Sequence, residues 1–369
     1  MSGRAAGSGI SLGRPHPTRH VENAVSAAMA SARLDQVMGL FLFLTDDHLP
    51  GIQPALRMAA RVSRCTQIFG CSAMGVFTDE DWTVDSSGAA ALVIGNGAAI
   101  GLAGGPDPDR VLISLGTPQG ISTQWLSQPI PRLGAVASDS SGRGPFQVWS
   151  HGRLERGGVA ACSLDGVSID IGVAQGVRAL TAPLEVTGTE RFKLVKLGRY
   201  PALKVLINSL PPSIRKMDRI PLHMLMCGIT FGDPDSAIDE GRFRLDHIVS
   251  ANAEDLTVTL ADELRAGQRL FWALRDRTAA EREIERVLDT SLAARRAGPD
   301  FGLVFSCLGR GPGFYGGADR DIQILRTKCP GMPFIGFYGN GEIAPLGERS
   351  HLHSYTVAIG LCRRTADDG

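Results

Sequence analysis

The feature that most constrains this chain is a block that occurs twice. Phe69-Gly70-Cys71-Ser72-Ala73-Met74-Gly75-Val76 reads beside Ile335-Gly336-Phe337-Tyr338-Gly339-Asn340-Gly341-Glu342. Gly70 and Gly336 are 266 positions apart, and so are Gly75 and Gly341. The same offset carries the apolar run 89–94 onto 355–360. Upstream, 40–44 (LFLFL) is similar to 303–306 (LVFS). The order is the same each time: apolar strand, loop, helix, strand ending at a glycine, Gly-rich loop, apolar strand. A supersecondary unit used more than once leaves this mark. The expected fold is α+β, with mixed, largely antiparallel sheets and packed helices, built from internal strand-helix-strand repeats in two halves.

A third copy is expected between the two. Residues 111–115 (VLISL) read as a strand, and Thr117-Pro118 as the cap and first residue of a helix toward Leu126. Residues 132–136 read as a strand through Gly134, followed by a turn-rich loop, 139–144 (DSSGRG). Residues 146–149, a turn near His151-Gly152 and 158–163 read as a hairpin.

The second half starts near Tyr200-Pro201. Residues 201–210 suit a helix stopped by Pro211-Pro212, and 222–229 a buried strand. Runs at 243–249, 256–260 and 269–274 predict an antiparallel meander. Residues 278–296 predict a helix with Thr278 and Glu281 as a capping box, a stripe of Ile284 and Leu288, and Gly298-Pro299 as the stop.

A chain of 369 residues is long for one core and comfortable for two. Lys plus Arg number 38 and Asp plus Glu number 38, so no net charge draws it to nucleic acid or anionic lipid. The seven cysteines include no C-x-x-C pair, which argues for buried thiols rather than disulfides or a zinc knuckle. The longest apolar run, 37–44, is far short of the roughly 20 residues that span a bilayer. Residues 1–36 read as a partly disordered lead without a secretory h-region, though basic enough to leave a transit peptide open. A cytoplasmic protein with no membrane or nucleic-acid partner is expected.

Several blocks in order carry a resemblance. Gly241-Arg242-Phe243-Arg244, Gly267-Gln268-Arg269-Leu270, Phe305-Ser306-Cys307-Leu308-Gly309-Arg310 and Gly336-Phe337-Tyr338-Gly339-Asn340-Gly341-Glu342 resemble the C-terminal FIST domain. Gly70-Cys71-Ser72-Ala73-Met74-Gly75 resembles a block of the N-terminal FIST domain. The resemblance implies an N-terminal domain at 37–197 and a C-terminal one at 198–363. It implies an intracellular sensory protein that binds an amino acid or a similar small polar metabolite. Such domains accompany kinases, chemoreceptors or cyclic-dinucleotide enzymes. Here the remaining length suggests a stand-alone sensor acting on a separate signalling protein. Some members bind haem, so a haem gas sensor is the first alternative.

The candidate ligand-binding residues are Cys71, Ser72, Ser306, Cys307, Arg310, Tyr338, Asn340 and Glu342. Arg310 suits a carboxylate through its planar fork, or else a local acid. Glu342 suits an ammonium group, or a buried ion pair. Together they would fit a zwitterion. A cysteine- or serine-dependent hydrolase is a further alternative, but the second glycine after Cys71-Ser72 falls one residue late for G-x-S-x-G, and no base lies beside Cys71. No metal ligand set is expected. His351 and His353 share one face of a strand, the pattern that leaves haem open.

Overall fold

Strand Gly39–Thr45 is buried along its whole length, as apolar strands covered on both faces are. It runs parallel to Ile68–Ala73, with helix Ile52–Ser63 as the crossover, and antiparallel to Ser87–Ile94 on its other side. The same triplet recurs at Leu112–Gly116, Arg132–Val136 and Val159–Asp165. It recurs again at Phe301–Cys307, Phe334–Gly339 and Val357–Arg364. The computed structural model, which describes residues 4–104, 110–295 and 297–365, therefore contains the unit in three copies. The fold is α+β with mixed sheets.

One glycine per copy explains the repeat. Gly70 lies opposite Leu42, Gly134 opposite Ser114 and Gly336 opposite Val304. A Cβ at these glycines would stand 1.8, 1.7 and 2.0 Å from the carbonyl oxygen of the opposing residue. No side chain fits there, so each parallel pair demands glycine at that position.

Past its glycine strand, each copy sends a hairpin into another copy's sheet. Gly75–Thr78 pairs with Phe334–Gly339 of the third copy. Glu342–Leu346 of the third pairs with Arg132–Val136 of the second. Val148–Ser150 of the second pairs with Ile68–Ala73 of the first. The exchange closes a ring in which each copy gives one hairpin and receives one. Three six-stranded sheets result, each with a leading edge strand: Ala6–Gly13, Ala99–Leu102 and Val167–Ala174. Phe43 of the first copy packs on Phe305 and Phe337 of the third, at centroid distances of 6.3 and 4.8 Å, inside a core drawn from all three.

Several expectations change in detail. Residues 4–36, read as a lead, hold strand Ala6–Gly13 and helix Pro17–Ala32; residues 1–3 lie outside the described residues. The helix buries Val21, Ala24, Val25 and Ala28, a face of small residues that carries little hydropathy signal. The second copy's helix is only Thr123–Leu126, with Ser122 Oγ accepting from the Trp125 N–H at 3.2 Å. Thr117 instead closes a turn, accepting from the Gly120 N–H. The hairpin expected over 146–163 is shorter: Val148–Ser150 turns at His151-Gly152 onto Arg153–Leu154, and Val159–Asp165 goes to another sheet.

The chain divides into two units, Met1–Val173 with Ile284–Gly369, and Ala174–Glu283. The second unit thus runs from the end of the third copy's leading strand, Val167–Ala174, into the first two turns of helix Arg277–Ala293. It is a closed antiparallel barrel. Leu184–Glu190, Lys193–Leu197, Thr257–Leu260, Phe243–Asn252, Leu225–Thr230 and Arg269–Arg275 follow one another around it, the last pairing with both the first and Leu225–Thr230. The expected meander therefore stops at its second strand. Arg269–Arg275 crosses over to close the ring, which leaves no open edge along these six strands. Helix Ala202–Ser209 matches expectation. Helix Arg277–Ala293 buries Ala280, Ile284 and Leu288, but Asp276 rather than Thr278 caps it, accepting from the Ala279 N–H at 2.9 Å; residue 296 lies outside the described residues.

Candidate ligand-binding site

The two Gly-bracketed reversals do come together. Gly75 lies opposite Tyr338, and Ser138 of the second copy ties both, accepting from the Met74 N–H and donating to the Tyr338 carbonyl. Their meeting place is packed with side chains. Cys71, Ser72, Ser306, Tyr338 and Glu342 are all 2% exposed or less. Asn340 is exposed, and its side-chain amide donates to the Ala137 carbonyl.

Arg310 is buried and places both arms of its fork on Asp321, Nε to Oδ2 at 2.8 Å and Nη2 to Oδ1 at 3.1 Å. Tyr315 donates to Asp321, and Tyr338 donates to Asp319 at 2.6 Å. Burial, then repulsion from Asp321, pushes Asp319 up to about 6. Burial likewise drives Glu342 well above the usual carboxyl range, against a hydrogen bond donated by Thr356. Burial pushes the Cys71 thiol up, away from the thiolate a nucleophile needs. Cys307 is buried at the end of its strand. Of the His351/His353 pair, whose rings lie 6.5 Å apart, His353 is 1% exposed, with Nε2 3.2 Å from the Ala344 carbonyl.

Open space lies elsewhere, in several surface cavities, one of them past the carboxyl end of the first copy's strand Gly39–Thr45. There a cleft of about 620 Å³ opens between the turn Asp46–Gly51 and the hairpin arm received from the second copy. Crevices beyond strand carboxyl ends are where α/β sheets hold ligands. Leu49, Pro50, Ile52, Pro145 and Leu154 form apolar walls. Asp46, Asp47 and Asp139 supply the charge; among the described residues no basic side chain lines it, while Arg153 and Arg156 line an adjoining cavity that shares Gln147 and Leu154.

Asp139 is the central group. The loop 139–144 wraps around its Oδ2, which accepts from the Ser141, Arg143 and Gly144 N–H groups and from the Ser141 hydroxyl. Its Oδ1 is buried without a hydrogen-bond partner, in a residue 5% exposed. Burial raises its pKa, but these hydrogen bonds outweigh it and hold the carboxyl below its ordinary value. Asp47 behaves alike: burial is opposed and outweighed by hydrogen bonds from Ser87 and Thr45 and by His48. Asp46 Oδ2 accepts from both the Ser140 N–H and hydroxyl, joining the two walls. Beneath them His48 is fully buried, its Nδ1 2.8 Å from Thr45 Oγ1 and its Nε2 unpartnered. Burial lowers its pKa against the attraction of Asp47.

None of the eight sequence-predicted residues lines this cleft. Ser72 exchanges hydrogen bonds with the backbone of Gln147, a lining residue. The missed residues left two signals: paired acids directly after an apolar strand, and an aspartate opening a Ser/Gly turn.

Fold and cleft together define a class: a threefold strand-exchange protein with a barrel inserted into its third copy. The FIST N domain model matches residues 39–199 and the FIST C domain model residues 202–345, so the chain belongs to the FIST family. FIST domains are sensory domains of signal transduction. The junction between the two matched regions falls inside the barrel unit, not at its border. The chain is 28% identical over 233 residues to the uncharacterized protein Mb0898c of Mycobacterium bovis, covering 62% of this chain and 59% of that one. It is 24% identical over 251 residues to the uncharacterized protein MT0656 of Mycobacterium tuberculosis, covering 66% and 64%. The match thus spans less than two thirds of the length of these relatives. Among the described residues, no helix is long and apolar enough to cross a membrane.

Proposed function

We propose that this chain is a small-ligand-binding sensor whose ligand, an amino acid or a similar small polar metabolite, enters the cleft between Asp46–Gly51 and the arm from the second copy. One observation carries the reading: an open cleft with apolar walls that gathers Asp46, Asp47 and Asp139 from two copies of the unit. Such a cleft offers apolar surface for the body of a small ligand and charged groups to orient it. The cleft's walls belong to different copies, so a ligand touching both favours conformers with the arm docked. That differential affinity is what a signal requires. The receiver is a separate protein, such as a kinase or a cyclic-dinucleotide enzyme.

The test is thermal unfolding across a panel of amino acids and polar metabolites, with the wild type and Asp139→Asn in parallel. At least one compound should raise the wild-type Tm and lose most of that effect in the variant. A flat panel, or a rise indifferent to Asp139, rejects the reading.

A further inference from the structure

One edge residue joins three cavities. Leu154 lines the cleft of about 620 Å³, a second cavity of about 770 Å³ beside Gln53, and a third of about 650 Å³ beside Arg57. Helix Ile52–Ser63 walls all three, with Ile52 in the first, Gln53 in the second and Leu56, Arg57 and Ala60 in the third. The hairpin of Val148–Ser150 and Arg153–Leu154 forms the facing wall. The cavities are therefore one groove between a helix and a sheet edge. From Ile52 to Ala60 the helix rises about 12 Å, the length of about four residues of extended chain.

The sheet edge in this groove is open. Arg153–Leu154 is the last strand of its sheet and pairs with Val148–Ser150 alone. His151 and Gly152 both have positive φ, 49° and 68°, in the two-residue turn that sets Ser150 opposite Arg153. The Glu155 N–H donates to the Val148 carbonyl at 2.9 Å. Hydrogen-bonded and non-hydrogen-bonded pairs alternate along an antiparallel ladder, so Trp149 and Leu154 form a non-hydrogen-bonded pair. The Leu154 N–H and C=O thus point away from Trp149, to the free side of the strand. Among the described residues neither group has a hydrogen-bond partner. An edge residue so placed can exchange two hydrogen bonds with one residue of an added antiparallel strand.

Charge changes sign along the groove. Asp46, Asp47 and Asp139 stand at the start of the helix, Arg153 and Arg156 line the middle, and Arg57 and Arg153 the far end. Among the described residues neither Arg57 nor Arg153 has an ion-pair partner; Glu155, the acid beside them, accepts from the Ser150 hydroxyl. Counting from Gly134, Gly70 and Gly336, Asp139 falls on Gly75 and Gly341, so neither other copy has an acid at this position.

Resting on the sensor reading and narrowing its ligand class, we infer that the groove takes a free peptide of about four residues, added as a strand to Arg153–Leu154. Its ammonium lies at the acidic end, its carboxylate at Arg57 and Arg153, and a middle residue pairs with the Leu154 N–H and C=O. Strand Arg153–Leu154 runs from the turn at the basic end toward the acidic end, so a peptide of this polarity lies antiparallel to it. A single amino acid, spanning about 3.6 Å, reaches only one end.

Calorimetric titration of the full chain with leucine, Ala-Leu, Ala-Leu-Ala and Ala-Leu-Ala-Ala tests this. Affinity should rise along the series, and the tetrapeptide should bind about tenfold or more tightly than leucine, because its two ends engage together. Acetylating its amine or amidating its carboxylate should each weaken binding about tenfold, the effect of removing one charged hydrogen-bond partner. N-methylation of its peptide bonds one at a time should weaken binding sharply at one bond, the donor to the Leu154 carbonyl, and this needs no altered protein. Arg57→Gln with Arg153→Gln should weaken the free acid to the level of the amide. A tetrapeptide no tighter than leucine, one indifferent to both end blocks, or a free acid unaffected by the two substitutions overturns the inference. The sensor reading then stands where a compound of the metabolite panel gives an Asp139-dependent rise in Tm. If the peptides fail and that panel is flat, both fall.

Discussion

Ser138 Oγ accepts the Met74 N–H at 2.9 Å and donates to the Tyr338 carbonyl, so one hydroxyl from the second copy closes the reversals of the other two. This is the point from which the exchanged hairpins depart. Each copy lacks a complete sheet without the strands it receives, so the three are expected to unfold as one cooperative unit.

The glycines of the parallel pairs give the most direct check on that arrangement. Gly134→Ala would put a methyl 1.7 Å from the Ser114 carbonyl oxygen, which no rotamer avoids because the Cβ position is fixed by the backbone. The strand must shift, and overpacking of this kind costs about 1–3 kcal/mol, occasionally more. Gly134→Ala, Gly70→Ala and Gly336→Ala should each lower the denaturant midpoint of the whole first unit. Gly157→Ala, with nothing within 4 Å of its added methyl, should leave it unchanged. Equal effects at Gly134 and Gly157 would refute the account.

Those glycines also explain what was legible in the sequence. A backbone contact admitting no side chain leaves the same letter in each copy, so the repeat through Gly70 and Gly336, and the copy through Gly134, could be read directly. The exchange of hairpins could not, because a strand's pattern records that it is buried and not whose sheet it joins. The barrel strands were legible as strands, but their closing pair, Leu225–Thr230 with Arg269–Arg275, joins segments far apart in the chain. The candidate residues were drawn from the blocks that resemble each other most. Those blocks are largely buried, and Arg310, singled out as a carboxylate grip, is paired with Asp321. The open cleft arises where the copies differ, at Asp139 in place of glycine, and a search for likeness passes over that position.

The buried cluster around Arg310 predicts a pH dependence. Asp319 has its pKa raised to about 6 by burial and by Asp321. A raised carboxyl pKa favours the folded state below the unfolded value, about 4, and that advantage is lost as pH rises through the folded value. Asp319→Asn removes the titration while keeping an oxygen for the helix cap on the Ile322 N–H. Wild-type stability should therefore fall relative to Asp319→Asn between about pH 4 and 6, and run parallel above it. Urea unfolding of both proteins over that range decides it; a wild type that gains on the variant as pH rises reverses the sign and disproves the assignment.

The position of the barrel unit leads to the last prediction. In the first copy, strand Ala6–Gly13 reaches helix Pro17–Ala32 through residues 14–16 alone. In the third copy the corresponding strand, Val167–Ala174, reaches helix Arg277–Ala293 only after the barrel. Within the second unit, Glu283 accepts the Gln175 and Gly176 N–H groups at 2.9 and 2.6 Å, so the chain leaving the strand and the helix that follows meet at one carboxylate. Replacing residues 175–276 with a three-residue turn copied from residues 14–16 should therefore leave a folded three-copy protein. It should show a single cooperative unfolding transition and an intact cleft, read as the same response to any cleft ligand. The barrel's own Trp272 is removed, so intrinsic fluorescence then reports only the remaining tryptophans, among them the buried Trp149. A deletion product that unfolds without cooperativity, or that exposes Trp149 to quencher, would mean that the third copy needs the barrel to fold.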